Sequence, residues 1–401
     1  LAKADAVIIN TCAFIESAKT EAIEKILETA AYREENPELK IIVSGCLAQR
    51  YADDIRAELP EVDGIMGTGS YSEVVSVVEA VLAGDKPTRR GAISAPLYDT
   101  PRAVSTGPNW AYLRIAEGCD NRCAYCVIPS LRGRFRSRTK ESILEEARLL
   151  AASGVKELII VAQDITRYGI DLYGKVCLTE LLKELCKLDF RWVRLHYLYP
   201  ELIDDELIDE IASEDKIVKY LDIPIQHIND TILRRMNRRG TGEEIRALFK
   251  KLRERIPGLV LRTSLITGLP GEGEAEFEEL CDFLREAKIE RAGVFPYSPE
   301  EGTPAALMPD RCSTEEAQRR AELCMEIQAE IMDGFAETFI GRELDVLVMG
   351  REPDGTPWGR SEYDSPDIDS RVIFSGDAAP GDMVRVRIDS VDDGELIGEQ
   401  I

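Results

Sequence analysis

Cys119, Cys123 and Cys126 stand in the run Glu117-Gly-Cys-Asp-Asn-Arg-Cys-Ala-Tyr-Cys126. Thiolates at this Cys-x3-Cys-x2-Cys spacing can hold three corners of a cubane iron–sulfur cluster, whereas a closed structural cluster takes four cysteines. A closed zinc site also takes four ligands, usually as paired Cys-x2-Cys knuckles. Three ligands leave one iron with an open position for a reactant.

Two further thiols sit where a ligand could reach them. Cys12 in Ile9-Asn-Thr-Cys-Ala-Phe-Ile15 and Cys46 in Ser44-Gly-Cys-Leu-Ala-Gln-Arg50 each follow directly on an apolar strand. Thiols at adjacent carboxyl ends of a parallel sheet converge on one crevice. Two ligands cannot hold a cubane, so a third is expected from upstream of Leu1. Cys177, Cys186, Cys281, Cys312 and Cys324 lack ligand spacing and read as buried small apolar residues.

The elements that must position these residues fall into three segments. Residues 1–90 read as an α/β domain, with strands Ala6–Asn10 and Ile41–Ser44 and helices beginning near Ser17 and Ala52. Residues 91–108 carry Pro, Gly, Ser and Thr without periodicity and form a linker. From 109 to 335, six apolar strands alternate with amphipathic helices: Tyr112–Ala116, Glu157–Ala162, Val193–Tyr197, Tyr220–Pro224, Val260–Thr267 and Arg291–Pro296. Repeated strand–helix units imply a parallel sheet with right-handed crossovers, here a partial (β/α)6 barrel. Capping boxes open helices at Thr241-Gly-Glu-Glu244 and Ser313-Thr-Glu-Glu316. Residues 336–401 alternate in short strands with Gly and Asp turns and predict a small OB-like β-barrel.

In such barrels chemistry sits at the carboxyl ends of the strands. Cys119 follows the first strand, Gln163 and Asp164 the second, and His196 and Tyr199 the third. Gln226 and His227 follow the fourth, and Gly268 to Glu272 the fifth. The only two histidines of the chain are in this set.

The net charge of −24 argues against nucleic acid as the main partner, because phosphate binding relies on dense Lys and Arg. Residues 336–401 hold sixteen Asp and Glu against six Arg and no Lys. The stretches Glu362-Tyr-Asp-Ser-Pro-Asp-Ile-Asp369 and Asp389-Ser-Val-Asp-Asp393 suit docking of a basic protein by opposite-sign steering. Ten cysteines without a disulfide pattern, no signal peptide and no membrane-length apolar run predict a reducing, cytoplasmic setting.

The triplet, with Tyr125 as the aromatic residue before its last cysteine, matches the Cys-x3-Cys-x-aromatic-Cys signature of radical S-adenosylmethionine (radical SAM) enzymes. The whole chain resembles the radical SAM methylthiotransferases. That family combines an N-terminal domain with a three-cysteine auxiliary cluster, a radical SAM barrel and a C-terminal TRAM domain. Asn10-Thr-Cys-Ala-Phe-Ile15 and Ser44-Gly-Cys-Leu-Ala-Gln-Arg-Tyr51 match its second and third auxiliary cysteines. Ile128-Pro-Ser-Leu-Arg-Gly133, Ala162-Gln-Asp-Ile-Thr-Arg-Tyr-Gly-Ile-Asp171, Arg194-Leu-His-Tyr-Leu-Tyr-Pro200 and Tyr220-Leu-Asp-Ile-Pro-Ile-Gln-His227 are nearest to the branch that modifies a ribosomal protein.

The resemblance implies two 4Fe-4S clusters, one on Cys119, Cys123 and Cys126 and one on Cys12 and Cys46 with an upstream ligand. SAM would be contacted by Tyr125, Gln163, Gln226, Gly268 and Glu272. The expected reaction adds a methylthio group to the β-carbon of an aspartate of small-subunit ribosomal protein S-twelve. A 5′-deoxyadenosyl radical would first take the hydrogen, since an unactivated carbon has no acidic proton. Implied partners are an electron donor such as flavodoxin or ferredoxin and a sulfur donor, with no membrane and no tRNA. The alternatives are a tRNA adenosine methylthiotransferase and, from another class, a non-catalytic iron–sulfur docking protein.

Overall fold

The computed structural model describes residues 1, 3–95 and 102–401, so positions 96–101 of the predicted linker lie outside the described residues. The chain divides into two compact units.

The first unit is built from residues 1–101, 117–136 and 298–307. Strands Ala6–Thr11, Lys40–Gly45, Gly64–Gly67 and Thr88–Arg89 lie in that order, each parallel to the next. Lys40–Gly45 is apolar on both faces, as a parallel strand covered on both sides must be. Val43 and Ile65 pack with Ala22, Ile26, Leu47 and Ile55, while Ile42 and Met66 pack with Val77 and Val81 on the helix Val74–Leu82. Four elements here are not foreseen from the sequence: the helices Cys46–Arg50 and Val74–Leu82 and the strands Gly64–Gly67 and Thr88–Arg89. Buried Glu300, from the third segment, accepts from Lys19 and Arg50, both at 3.1 Å.

The second unit contains the six predicted strands, observed as Trp110–Arg114, Glu157–Val161, Trp192–Leu195, Ile217–Asp222, Val260–Thr267 and Arg291–Pro296. They stand side by side in chain order, all parallel, as an open sheet. In Val260–Thr267 the residues Leu261, Thr263 and Leu265 are fully buried toward the helices, while Arg262, Ser264 and Ile266 on the opposite, inner face are half-buried. The capping box at Thr241 forms in full and the one at Ser313 by half, since the Glu316 carboxylate is taken by Arg319 and Arg320. Thr241 Oγ1 accepts from Glu244 N while Glu244 accepts from Thr241 N, and Ser313 Oγ accepts from Glu316 N at the head of Thr314–Glu337.

Strands Glu343–Arg351, Pro357–Ser361, Val372–Ser375, Glu395–Gln400 and Met383–Asp392 close into a five-stranded barrel in that spatial order. Val346, Val348, Val372, Phe374, Val386 and Ile388 fill it. An outer seam joins Leu347, Met349 and Met383 to Trp192, Val218, Tyr220 and Val260 of the six-stranded sheet.

One expectation is corrected here. The acidic run Glu362–Asp369 does not face outward along its length: Asp367 is exposed, but Asp364 and Asp369 turn into the fold. Asp364 is 1% exposed and Ser365 fully buried. Asp364 accepts from Arg291 at 2.7 Å, Asp369 accepts from Tyr220 at 2.7 Å, and Ser365 bonds His196 at 3.0 Å. Asp364 and Asp369 of this run face Arg291 on the sheet, a pairing that a charge count along the sequence cannot reveal. Asp389, Asp392 and Asp393 do remain exposed.

Candidate active site

The Cys119–Cys126 loop is built by backbone turns that glycine and short polar residues permit. Gly118 sits at φ +81°, and a Cβ there would lie 2.3 Å from Arg134 O. The loop folds onto the segment that follows it. Cys119 N donates to Gly133 O at 3.2 Å, Phe135 N donates to Asp120 at 3.4 Å, and Cys126 N donates to Cys123 O at 3.0 Å. Cys119 and Cys123 are buried and Cys126 half-buried. Asn121 Nδ2 donates to Cys119 Sγ at 3.4 Å.

That donor suits a thiolate on iron, since hydrogen bonds to the sulfurs help set cluster potential. Among the described residues no group of three or more His, Cys, Asp or Glu is drawn tightly enough for one metal ion. A cubane does not require it, because each thiolate binds a different iron. The three thiols, their burial and the sulfur-directed amide therefore fit a cluster rather than a single metal.

Cys12 and Cys46 belong to the same unit as this loop. Their strands are in register through Asn10↔Ser44 and Thr11↔Gly45, which sets the two cysteines side by side one residue further on. Gly45 is at φ +96° and a Cβ there would meet Thr11 O at 2.4 Å, so the turn that presents Cys46 tolerates only glycine. Cys12 is exposed and Cys46 half-buried.

Arg132, on the helix Ile128–Arg132 just after Cys126, joins the two groups of thiols. It pairs with Glu117 at 3.3 Å and hydrogen-bonds the Cys46 thiol, which burial pushes up and Arg132 draws back. No local pattern in the sequence signals a role for Arg132, because Cys46 is distant from it in the chain.

In the second unit, Gln163 and Gln226 are half-buried beyond the ends of their strands. Gln226 is left-handed at φ +71°; its N donates to Ser264 O at 2.9 Å and its O accepts from Ile266 N at 2.8 Å, carrying the sheet one step past the strand. Gly268 is at φ +75°, and a Cβ there would come within 2.4 Å of Ala317 Cβ. The buried Glu272 carboxylate accepts from Gly268 N at 2.9 Å, pairs with Arg320 at 3.0 Å and lies 3.4 Å from His227 Nε2. His227 Nδ1 accepts from Asn229 N at 3.0 Å, so Nε2 carries the proton facing Glu272. Burial alone would raise the Glu272 carboxyl, but His227, Gly268 and Arg320 hold it below the usual range.

His196 is stacked on Tyr220 and bonded to Ser365. Burial, with Arg194 and Arg262 beside it, pushes His196 down to about 3, so it is a neutral core residue.

The radical SAM superfamily model matches residues 113–284, the uncharacterized protein family UPF0004 matches residues 1–67, and the TRAM domain matches residues 340–401. The ribosomal protein uS12 methylthiotransferase RimO of Desulfitobacterium hafniense is 46% identical across 100% of this chain and 91% of its own length. Proteins of that name from Acetivibrio thermocellus and Pelotomaculum thermopropionicum are 47% and 49% identical, over 100% of this chain and 90% and 91% of theirs. Among solved structures, the radical S-adenosylmethionine methyltransferase TsrM from Kitasatospora setae, with cobalamin and a 4Fe-4S cluster bound, shares the fold. Its TM-score is 0.57 at 14% identity, over 75% of this chain and 63% of that one.

An open sheet of six parallel strands, with a three-cysteine loop after the first, defines a radical SAM enzyme that uses a 4Fe-4S cluster and SAM. The N-terminal α/β sheet and the closed C-terminal barrel narrow the class. At 46% to 49% identity over its full length, the chain belongs to the RimO family of radical SAM methylthiotransferases.

Proposed function

We propose that this chain adds a methylthio group to the β-carbon of an aspartate of ribosomal protein uS12, using two clusters. Cys119, Cys123 and Cys126 hold the radical SAM cluster. Cys12 and Cys46 hold an auxiliary cluster, with a third ligand from outside residues 1–401. With SAM bound, the first cluster supplies a one-electron route to breaking an unactivated C–H bond, and the second a place for sulfur. The observation that carries the reading is the sharing of one compact unit by both sets of thiols, with Arg132 against Cys46 on the helix that follows Cys126.

The protein's own residues bind, orient and shield. Asn121 donates to Cys119 Sγ, and burial of Cys119 and Cys123 keeps water from the cluster. Tyr125 would serve the adenine of SAM, and Gln163, Gln226, Gly268 and Glu272 would serve its amino, carboxylate and ribose groups. Glu272 holds its own loop through Gly268 N and Arg320. The organisation is an auxiliary domain at 1–90, a radical SAM core at 109–335 and a TRAM domain at 336–401. The enzyme works in the cytoplasm with a flavodoxin or ferredoxin as electron donor and a separate sulfur donor; among the described residues no helix is long and apolar enough to cross a membrane.

A protein rather than tRNA substrate is supported by the fate of the arginines in the C-terminal barrel. Arg360, Arg371, Arg385 and Arg387 are paired with carboxylates, Arg351 donates to Gly355 O and Ala378 O, and Arg342 lies over Phe339 and Tyr363. An RNA-binding barrel of this type needs cations lining its groove. The test is to offer uS12 and tRNA together to the reconstituted enzyme and to locate the methylthio group by mass spectrometry. Its appearance on tRNA alone would overturn the assignment.

A further inference from the structure

Five arginines stand on or against the inner face of the six-stranded sheet: Arg114, Arg194, Arg262 and Arg291 on its strands, and Arg360 on the barrel strand Pro357–Ser361. Three are sealed. Arg194 is 0% exposed and pairs with Glu157; Arg360 is 3% exposed and also pairs with Glu157. Arg291 is 6% exposed and sits between Asp364 and Asp369. Arg262 differs: its side chain is 16% exposed, and among the described residues Asp222 is the one carboxylate within ion-pair distance of it. The two are direct neighbours in register, and Arg262 Nη1 donates to Asp222 Oδ1 at 2.8 Å.

Asp222 is itself fully buried and positioned from a second side. Its other oxygen, Oδ2, accepts from Tyr197 N at 3.4 Å. Tyr197 is held left-handed at φ +64°, a conformation that costs energy in a bulky residue and collects at ligand sites. Its ring, 44% exposed, stands at the carboxyl end of its strand, and Phe295, 50% exposed, is on the inner face near the end of the last strand. Beyond Arg262 on the same inner face, Ser264 and Ile266 are half-buried. Tyr197 and Phe295 are thus two exposed aromatic residues near the carboxyl ends of their strands, and Arg262, oriented by Asp222, is a partly exposed guanidinium on the same sheet.

We infer that Arg262, clamped by Asp222, is the residue that binds the carboxylate of the substrate aspartate. The inference rests on the uS12 reading above and names the group that selects aspartate within it. Attack on the β-carbon of an aspartate requires its carboxylate to be fixed, since that group sits one bond from the reacting carbon. A guanidinium carries five N–H donors in a rigid fork, so Asp222 can hold one corner while a second carboxylate is bound. Arg194 and Arg360, which share Glu157, and Arg291, held by Asp364 and Asp369, are closed off inside the fold and offer no such approach.

The experiment compares uS12 carrying the modified aspartate with uS12 carrying asparagine at that position. Affinity of each for the full, cluster-reconstituted chain is measured by fluorescence anisotropy, together with methylthiolation. The unsubstituted enzyme should bind the aspartate form more tightly by on the order of 10- to 100-fold, as for a hydrogen-bonded charge pair. Arg262→Gln should bring that ratio toward parity, and Arg262→Lys, which keeps the charge and loses the fork, should retain part of it. A merely structural role would weaken both forms alike and leave the ratio intact, and that result overturns the inference. If Arg262→Gln fails to fold, the ratio for Arg262→Lys decides, an undiminished ratio again overturning it. Failure of the unsubstituted enzyme to modify aspartate-bearing uS12 would instead overturn the functional reading beneath it.

Discussion

Asp364 Oδ1 lies 2.7 Å from Arg291 Nη2, joining the loop after Pro357–Ser361 to the start of the last strand of the open sheet. Both side chains are buried, and burial pushes the Asp364 carboxyl above the usual range even with Arg291 beside it. The pair is therefore better understood as fixing where the C-terminal barrel sits on the sheet than as a source of net stability.

Asp364→Ala should leave Arg291 buried with Asp369, at 3.7 Å, as its one remaining carboxylate, beside a hydrogen bond to Ser370 Oγ at 3.4 Å. Removing one partner of a buried ion pair costs about 3–5 kcal/mol. Denaturant unfolding should show that loss, and a change below about 1 kcal/mol would mean that water or Asp369 replaces the lost partner.

A second prediction concerns acid. His196 falls from an ordinary 6.5 to about 3 on folding, through burial first and then Arg194, Arg262 and Arg360, with Glu157 opposing them. A depressed folded value means that the unfolded chain takes up the proton first. Stability from neutral His196 is complete above the unfolded value and is lost as pH falls from there toward the folded one. The slope approaches about 1.4 kcal/mol per pH unit for one proton. Between about pH 7 and about pH 5 the wild-type protein should lose roughly 2 kcal/mol more than His196→Gln. Parallel curves would show that His196 ionises inside the fold.

Much of this architecture could be read from the chain. Val260–Thr267 and Arg291–Pro296 were placed at their observed bounds because apolar runs flanked by turn residues leave little freedom. Gly64–Gly67 was invisible because a Gly-Ile-Met-Gly run has no β-branched repeat, and becomes a strand only between Lys40–Gly45 and Thr88–Arg89. The triplet was legible because its ligands are local. Arg132 was not, because the Cys46 thiol it bonds comes from a different segment of the chain. The acidic run Glu362–Asp369 was misread for the same reason: Arg291, which neutralises Asp364, lies 73 residues away in the chain.

A third prediction separates the thiols. Replacing Cys119, Cys123 and Cys126 with Ala should abolish SAM cleavage and remove one cluster by iron counting. Cys12→Ala with Cys46→Ala should remove the other cluster and methylthiolation while SAM cleavage continues. Cys177→Ser and Cys186→Ser, at buried positions remote from both groups in sequence, should spare both clusters. Retained 5′-deoxyadenosine formation in the triple variant would refute the ligand assignment.

The most direct test follows a single hydrogen. Reconstituted enzyme is given SAM, reductant, a sulfur source and uS12 whose aspartates carry deuterium on the β-carbon. The account predicts deuterium in the 5′-deoxyadenosine recovered and one SCH3 group in place of a β-hydrogen on one aspartate. Methylthiolated uS12 formed with no deuterium in the nucleoside, or cleavage of SAM with uS12 left unmodified, would contradict it.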